Sequence, residues 1–459
     1  MADHALSHLP AEDVQRRTPL VELRDKALTT QAAAEKERLS QVAKTSYLLG
    51  KLPVETLVEI FTVLIDEDYT WGIKLSHVCG HWRRILIHTP SAWQTLVLSK
   101  RRPLRKAKVW KERAKNRIAR ISVAMSKLDR PAVFAHLQDL SWDHLSSLHT
   151  SAEAFIELDC MLSDISRPHT FSKLDELTLD EFKSPLGLSC SLFGPDWKLG
   201  ILRLSGEIYM MDEWWERIRK LKELRLDGSV LRFSTQVFTT NPSLERLILL
   251  CRDLRVNPDD KLSPTSLDNL KTIECRGVDR PFDVLRAISA PSITHFSMRY
   301  AISADEPLLH IASRLSLVEL HIATCSLDPS TLPTLLSSTP NLETLRINSI
   351  GAVVNEMLHF LTPKTVDSQH VLPCRALKHV DVSHCTDLTT SSAYAFVKTR
   401  VQHASESVVP TERCAVVESL QVDGCPHIEP DMLPWFRSKI VQFSCVFATR
   451  KDLVKQRRR

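Results

Sequence analysis

The chain has 459 residues, 43% of them hydrophobic and 25% charged, and a formal net charge of +5. This composition is typical of a globular protein, and so mild a charge does not by itself indicate a nucleic-acid partner. No apolar run approaches the ~20 residues of a membrane span, and the N-terminal sequence lacks the pattern of a secretory signal. Eleven scattered cysteines without a CxxC pair indicate reduced thiols and an intracellular protein, in the cytoplasm or the nucleus. We therefore expect no membrane partner.

The first fifty residues divide into two predicted segments. Residues 1–18 are polar and are predicted to be mobile. Residues 19–50 are predicted to form a long helix, because Thr18 and Pro19 supply a cap and a first-turn proline and Gly50 supplies a stop. The apolar positions of this helix keep only a ragged heptad, which favours a solvated helix over a coiled coil.

Residues 51–94 are predicted to form a helical module of two short helices. The first is predicted from KLPVETLVEIFTVLI, where a first-turn proline precedes a stripe of Leu57, Ile60, Phe61 and Leu64 at helical spacing. The second is predicted from LSHVCGHWRRILI, whose apolar residues also form one stripe. Because so small a unit hides a low fraction of its surface, we expect part of its apolar face to contact another surface.

Two basic stretches leave more than one interpretation open. Residues 95–170 are predicted to hold a basic helix and two or three irregular leading repeats, such as TLVLSK and RIARISV. The eleven Lys and Arg residues from Lys100 to Arg120 could bind RNA or anionic lipid, with Trp110 stacking on a base. We favour a helix with a solvated basic face and a packed Trp110, since charge runs usually face water. The basic tail at 447–459 is either a weak nuclear-import signal or a frayed end.

From residue 171 to residue 446 the sequence repeats the pattern LxxLxLxx. Ten segments start at 174, 199, 221, 244, 270, 293, 317, 342, 377 and 417. The first eight starts lie 22 to 26 residues apart, which is the spacing of leucine-rich repeats. The leucine-type positions of each short strand are predicted to point inward, so that stacked repeats bury one continuous core. The predicted fold class is therefore α/β, a solenoid with a curved parallel sheet and convex helices.

The later repeats carry two further features. The two longest gaps between segments predict loop insertions near 351–376 and 386–416. Cys325, Cys385 and Cys425 complete three late segments, and we predict that each is buried there as a small apolar residue.

Two outward positions of each predicted strand would line the open face of the sheet, which is the predicted substrate surface. The candidate residues on it are Arg225, Arg276, Arg299, His321, Arg346, Asp381 and Asp423. Arginine binds carboxylate and phosphate well, so an acidic partner, phosphorylated or not, would suit this face. Any single one of these residues is better interpreted as an ordinary solvated sheet residue, and only the face as a whole is predicted to bind.

No pattern in the chain indicates catalysis, a metal site or a cofactor. Glycine is scarce, with 11 residues, and none of the motifs GxGxxG, GxxxxGK[ST] and GxSxG occurs. His77 and His81 share a helix face, but Cys79 points elsewhere, and the late Cys-x10-Cys spacings follow from the repeat itself. We expect a binding protein and not an enzyme, with no cofactor and no metal.

Residues 52–93 resemble an F-box. The LPxE, lxxIFxxL, lsxVCxxWRxi and tPxLW elements of that motif occur in order as LPVE, LVEIFTVL, LSHVCGHWRRI and TPSAW, with Ala92 in place of the usual leucine. With the repeats that follow, the whole chain is similar to the F-box-like, leucine-rich-repeat proteins of fungi.

This resemblance implies a function. An F-box docks on the Skp-type adaptor of a cullin-RING ubiquitin ligase, and the repeats behind it hold a protein substrate. The residues implied in adaptor binding are Leu52, Pro53, Glu55, Leu57, Ile60, Phe61, Leu64, Val78 and Trp82. Three alternatives stay open: two helices that only cap the solenoid, a repeat scaffold without a ligase role, and a nucleic-acid-associated protein that uses residues 100–120.

Overall fold

A computed structural model describes most of the chain. The described residues are 37, 52–163, 171–182, 198–209, 215–216, 218–256, 264–277, 281–301, 304–312, 317–351, 353–362, 364–366, 369–371, 373–406 and 414–447. The predictions for 1–18, 19–50 and 447–459 lie outside these residues, apart from Glu37, which is helical, and Phe447. The chain divides into two compact units, Met1–Trp93 and Gln94–Arg459, which we call unit 1 and unit 2.

Unit 1 is helical over its described residues. Its elements are α1, Val54–Glu67; α2, Trp71–Ser76; α3, Gly80–Ile87; and a 3-10 helix, Pro90–Trp93. Pro53 precedes α1, where its φ of −54° suits the start of a helix, and its carbonyl accepts the N–H of Leu57 at 3.1 Å. Asp68 separates α1 from α2, because its carboxylate accepts both the N–H and the hydroxyl of Thr70.

The interior of unit 1 is built on one side of α1. Leu57, Phe61 and Ile65 lie four residues apart on this side, and all three are buried. Phe61 packs against Trp82 of α3, with ring centroids 4.8 Å apart. The buried Trp93 closes the interior, and its indole N–H donates to a backbone carbonyl of α3 at 2.7 Å.

The described residues of unit 2 form one long sheet of fourteen strands, in which every neighbouring pair is parallel. In chain order the strands are β1, Thr95–Ser99; β2, Arg120–Ala124; β3, Ser147–Ser151; β4, Glu176–Phe182; β5, Ile201–Tyr209; β6, Glu223–Phe233; β7, Arg246–Val256; β8, Thr272–Arg276; β9, His295–Arg299; β10, Glu319–Ala323; β11, Thr344–Asn348; β12, His379–Asp381; β13, Ser419–Gln421; and β14, Gln442–Ser444. Each strand pairs with the next one along the chain, so the sheet grows in a single direction.

Helices that follow the strands form a second layer of unit 2. They are α4, Pro103–Arg113; α5, Arg130–Leu137; α6, Ala152–Ser163; α7, Gln236–Thr240; α8, Pro281–Arg286; α9, Asp305–Ala312; α10, Thr331–Ser337; α11, Val353–Phe360; α12, Thr390–Glu406; and α13, Leu433–Lys439. Neighbouring helices contact each other from α4 to α6 and from α8 to α13. Two short strand pairs lie outside the main sheet: Thr265–Ser266 with Ile288–Ser289, which is parallel, and Lys364–Val366 with Gln369–Val371, which is antiparallel.

The core of unit 2 consists of ladders of apolar side chains that run across the strands. Phe296 of β9, Leu320 of β10 and Leu345 of β11 are paired in register and are buried, and so are the residues two positions further along each strand. The residues between them lie on the opposite face of the sheet. This is the arrangement of a leucine-rich-repeat solenoid. The predicted α/β fold with a parallel sheet is confirmed, and each of the ten predicted segments forms a strand, from β4 to β13.

The backbone leaves the extended conformation at the eighth position of most repeated segments, at the end of the strand or, in β4 and β5, at a bulge within it. In eight of the ten segments this residue has a φ between 54° and 121°, namely Glu181, Gly206, Gly277, Tyr300, Thr324, Ser349, His384 and Gly424. Its N–H continues the ladder of the sheet: Tyr300 donates to the carbonyl of Ala323 at 2.9 Å, and Thr324 to that of Asn348 at 3.0 Å. A positive φ is strained for any residue with a Cβ, and most for a β-branched one. The hydrogen bond to the next repeat offsets this strain.

Four strands lie outside the ten predicted segments. The leading repeats TLVLSK and RIARISV coincide with β1 and β2. The strands β3, SLHTS, and β14, QFS, have no predicted counterpart, because each contains a single large apolar residue in place of the leucine pattern.

The two inserts are largely regular secondary structure, which corrects the prediction of loops at 351–376 and 386–416. The first contains α11 and the antiparallel strand pair, and the second consists mainly of α12, a helix of 17 residues. Neither stretch has the leucine spacing of the repeats, so its regular structure leaves no comparable trace in the sequence.

A buried arginine ties α12 to the ends of the first insert. Arg400 is fully buried, and its guanidinium donates to the carbonyls of Leu361, Pro373 and Cys374 at 3.3, 2.7 and 3.1 Å. Among the described residues, the carbonyls of Leu361 and Pro373 have no other donor, whereas that of Cys374 also accepts the N–H of Leu377 at 3.1 Å. Burial lowers the pKa of Arg400.

Cys325, Cys385 and Cys425 are buried, as predicted, but they also form hydrogen bonds. The thiols of Cys385 and Cys425 donate to the carbonyls of Ile347 and Val382 in the preceding repeat, each at 3.2 Å. Burial raises the pKa of Cys385 to about 11 and that of Cys425 to about 12, so both thiols stay protonated and can donate.

The eighth-position turn yields a matched pair of substitutions. We expect Thr324→Gly to stabilise unit 2 and Gly277→Ala to destabilise it, each by ~1 kcal/mol, because both residues have positive φ, 55° and 69°. A Cβ added at Gly277 would have its nearest neighbour at 3.9 Å, so the cost comes from the backbone alone. The urea midpoint of the full chain measures both effects. Ala323→Gly, in the extended strand one residue earlier, is the control and should destabilise. A lower midpoint for Thr324→Gly would contradict this account.

A second expectation concerns Arg400. Arg400→Met keeps the apolar volume but leaves two buried carbonyls, those of Leu361 and Pro373, without a donor, so we expect a loss on the order of 2 kcal/mol in the free energy of unfolding. Chemical denaturation measures this loss. Lys398→Met, at an exposed position of the same helix, is the matched control and should change stability little. Equal midpoints for the two variants would show that the carbonyls do not depend on Arg400.

Candidate binding surfaces

The described part of unit 1 exposes six large apolar side chains, which we call the exposed apolar set. They are Val54, Ile60, Val63, Tyr69, Ile73 and Val78, with exposed fractions from 37% to 61%. Ile60 and Val63 lie one turn apart on α1, and Ile60 is at the exposed edge of the stripe that contains Leu57 and Phe61. Single exposed apolar residues are ordinary on protein surfaces, but so many within residues 54–78 indicate a surface that could bind another molecule.

The structure separates the residues implied in adaptor binding into three groups. Pro53, Glu55, Ile60 and Val78 are exposed; Leu52, Leu64 and Trp82 are partly buried; Leu57 and Phe61 are buried. The last two therefore face the interior of unit 1, which corrects the expectation that Phe61 faces a partner. Their spacing of four residues places them beside Ile65 on the packed side of α1. Their role in this structure is packing.

Four members of the exposed apolar set are absent from the sequence-based prediction. They are Val54, Val63, Tyr69 and Ile73, which are exposed but do not belong to the specified motif positions. The signal for Val63 was its position three residues after Ile60 on the same helix. Cys79, a motif residue, caps α3 locally, since its sulfur accepts the N–H of Trp82 at 3.5 Å.

The seven candidate residues of the sheet face do not form one group. Arg276, Arg299, His321, Arg346 and Asp381 lie on the consecutive strands β8 to β12, and the register puts His321 beside Arg346, and Arg346 beside Asp381. The other two lie apart from these strands, Arg225 on β6 and Asp423 after β13.

An open depression lies on this face, over β7 to β11, with a volume of about 310 Å³. We call it the strand-face depression, and its lining residues are Arg246, Thr272, Ile273, Glu274, His295, Phe296, Ser297, Arg299, Glu319, His321 and Arg346. Arg299, His321 and Arg346 come from the sequence-based prediction. Of the remaining residues, Ile273 and Phe296 are inward and buried, and the others occupy outward positions that the strand register brings together. A second cavity of about 340 Å³, over β11 to β14, shares Arg346 with the first.

Ion pairs and hydrogen bonds arrange the charges of the strand-face depression. Glu319 accepts from Arg346 at 3.4 Å and lies 3.7 Å from the ring of His295. Arg299 donates through Nη2 to Nδ1 of His321 at 3.2 Å. This bond requires an unprotonated Nδ1, because a protonated imidazole has no acceptor to offer.

The charge state of His321 follows from its surroundings. Burial, followed by the charges of Arg299 and Arg346, lowers the pKa of His321 below its ordinary value of 6.5, while Asn348 and Asp381 act weakly in the opposite direction. His321 is therefore neutral at neutral pH and serves as an acceptor for Arg299.

The remaining candidates on the sheet are engaged locally. Asp381 accepts from the side-chain amide of Asn348 at 2.9 Å, and Asp423 accepts from the hydroxyl of Ser444 at 2.8 Å. These carboxylates hold the ends of neighbouring repeats together, so both of these candidate residues are less available to a partner. Arg276 lies over the ring of Tyr300, 5.6 Å from its centroid.

The basic run at 100–120 contains α4, and its tryptophan is packed. Trp110 is buried, and its indole N–H donates to the carbonyl of Thr95 at 2.9 Å, while Lys106 lies 5.0 Å from the ring centroid. This arrangement agrees with a packed Trp110 and leaves no free ring face for stacking on a base.

Among the described residues, no group of His, Cys, Asp and Glu side chains is placed to hold a metal ion. Within the same part of the chain, no helix has both the length and the apolar character to cross a membrane.

Comparisons with known proteins are limited to solved structures, since neither a protein-family model nor a curated protein matches the chain. An internalin, InlF, of Listeria monocytogenes is 12% identical over 79% of this chain and 90% of its own, with a TM-score of 0.41. The plant peptide hormone receptor RGFR1, in complex with RGF2, is 14% identical over 73% of this chain and 65% of its own, with a TM-score of 0.27. The leucine-rich-repeat ectodomain of the receptor kinase GASSHO1 of Arabidopsis thaliana is 13% identical over 68% of this chain and 45% of its own, with a TM-score of 0.23. Because all three TM-scores are below 0.5, we base the repeat architecture on the strands and register of this chain.

The bond between Arg299 and His321 predicts a pH dependence. The pKa of His321 is lowered in the folded state. In the unfolded chain this side chain therefore binds a proton near pH 6.5, whereas in the folded chain it binds one only at lower pH. Stability should therefore fall as the pH is lowered from about 6.5 through the depressed pKa, and His321→Gln should reduce this fall. Urea midpoints at pH 7.5 and pH 5 measure it. The control is His359→Gln, at an exposed position of α11, which should leave the pH dependence unchanged. An unaltered pH dependence in His321→Gln would contradict the expectation.

Proposed function

We propose that the protein is an F-box-type substrate receptor. In this proposal unit 1 docks on the Skp-type adaptor of a cullin-RING ubiquitin ligase, and the open face of the unit 2 sheet binds a protein substrate. The protein acts by binding and carries out no chemistry of its own. The ordered F-box-like motif between Leu52 and Trp93, followed by the repeats, supports this proposal.

The observation that carries the proposal is the exposed apolar set of unit 1. Ile60, Val63 and Val78 have exposed fractions of 41%, 61% and 60%, and Pro53 and Glu55 are exposed at the start of α1. Burying one such apolar side chain contributes about 1.5–3 kcal/mol. Together these residues can supply a large part of the free energy that a docking interface needs after the costs of association.

The sheet of unit 2 supports the second half of the proposal. Its leucine-type residues are buried in the core, so the outward positions are free to vary without loss of the fold. These positions line the strand-face depression, an open concavity with convergent charged groups. Such a surface suits a segment of a protein partner better than a small enclosed ligand.

A repeat-based interaction scaffold without a ligase role is the second candidate. The burial of Leu57 and Phe61 favours it, because two of the residues that the motif assigns to adaptor binding are withdrawn from the surface. In this alternative the sheet face still binds a protein, and unit 1 has another partner.

Capture of a recombinant Skp-type adaptor by the full chain tests the receptor proposal. We expect wild-type protein to retain the adaptor, and Ile60→Ala combined with Val78→Ala to reduce retention about tenfold or more, since two exposed anchors of the interface are removed. The matched control is Leu128→Ala combined with Val441→Ala, two exposed apolar positions of unit 2. Circular dichroism should be unchanged in all variants. If wild type does not retain the adaptor, the scaffold is the better assignment.

A further inference from the structure

Two buried polar atoms on the open face of the sheet have no partner. Within the described residues, Ser297 Oγ and Arg299 Nε are buried and make no hydrogen bond. Both belong to β9, two positions apart, so they lie on the same face of one strand and both line the strand-face depression. Buried polar groups are almost always hydrogen-bonded, and each exception requires an explanation.

Arg299 also differs from the other two arginines of the depression in its charge partners. Arg246 forms an ion pair with Glu223 at 3.1 Å, and Arg346 forms one with Glu319 at 3.4 Å. No carboxylate of the described residues lies within ion-pair distance of Arg299, whose one hydrogen bond goes to the neutral ring of His321. The charge of this guanidinium is therefore uncompensated by the part of the chain that the structure describes.

His321 positions this guanidinium. The bond from Arg299 Nη2 to His321 Nδ1 holds one end of the guanidinium, and Nε of the same group is buried without a partner among the described residues. Arg346, the register neighbour of His321, adds a second positive charge on the same side. A negatively charged acceptor in the depression would satisfy both unpartnered donors and balance Arg299.

The charges that line the depression indicate the charge of this acceptor. Arg246 is paired with Glu223 and Arg346 with Glu319, so Arg299 is the arginine of the lining whose charge has no ion-pair partner among the described residues. One carboxylate group balances this charge. A phosphate ester, with a charge of about −1.5 to −2, would leave the site negative beside two glutamates.

We propose that the strand-face depression binds the carboxylate of an Asp or Glu side chain in an acidic segment of a protein partner, with Arg299 and Ser297 as the hydrogen-bond donors. This inference rests on the proposed function, in which the sheet face binds a protein, and it specifies the chemistry of the bound segment. His321 is a positioning residue, because its ring orients Arg299.

Immobilised full-length protein can be tested with four short peptide pools that differ only in a fixed central residue. The central residue is Glu, Asp, Gln or phosphoserine, and the flanking positions are randomised. We expect the Glu or Asp pool to be retained about tenfold more strongly than the Gln pool, because a charge-assisted hydrogen bond to Arg299 is lost with the neutral amide. The preference should weaken as salt is added.

Variants connect this preference to the proposed donors. Arg299→Gln should bring the retention of the Glu and Gln pools to near parity, and Ser297→Ala should reduce the preference in part. Arg437→Gln is the control, because Arg437 is exposed on α13 and does not line the depression. Urea midpoints establish that each variant is folded. If Arg299→Gln does not fold, Ser297→Ala decides the question, since it removes a single hydroxyl.

Three outcomes would overturn the inference. They are equal retention of the Glu and Gln pools by wild type, a preference that both Arg299→Gln and Ser297→Ala leave intact, and stronger retention of the phosphoserine pool than of the Glu and Asp pools. The last would assign the site to a phosphorylated segment. The result is separable from the adaptor experiment, since Ile60→Ala with Val78→Ala should not affect peptide preference. If the protein prefers the carboxylate peptides but does not capture the adaptor, the ligase role is excluded and the peptide-binding inference stands.

Discussion

Unit 2 depends on one constraint: an apolar side chain in each strand has to lie beside an apolar side chain in the next. Phe296, Leu320 and Leu345 meet this requirement in consecutive strands, and none of them could be buried by its own repeat. Because the inward residues supply the apolar contacts that stabilise the fold, the outward residues of the same strands are not needed for that purpose. The face that holds Arg299 and His321 can therefore be specialised for binding without weakening the core.

The leucine period predicts the strands well because the apolar residues that must contact the next strand are the same residues that recur in the sequence. It fails at β3 and β14, where one large apolar residue suffices for a strand at the start or the edge of the array. It also fails at the turns, where Tyr300 and Thr324 adopt a conformation usual for glycine because their N–H groups bond the next repeat. Such a long-range bond leaves no local signature.

The candidate sites were predictable to different degrees for a related reason. Arg299, His321 and Arg346 occupy fixed positions of the repeat, so the sequence identifies them as outward. Glu319 becomes a neighbour of Arg346, and Ser297 of His321, only through the register between strands. In unit 1 the apolar stripe of α1 is wider than the interior it covers, so Phe61 lies inside and Ile60 outside. Periodicity alone cannot divide such a stripe, because the division depends on what packs against the helix.

The strands of unit 2 are unequal in length, so the central and C-terminal parts of the array should differ in stability. Strands β6 and β7 have 11 residues each, whereas β12, β13 and β14 have three each. In a one-dimensional stack each layer is stabilised by its immediate neighbours, so a shorter pairing makes a weaker layer. Fraying should thus begin at the C-terminal edge and advance inward, and the long central strands should nucleate refolding.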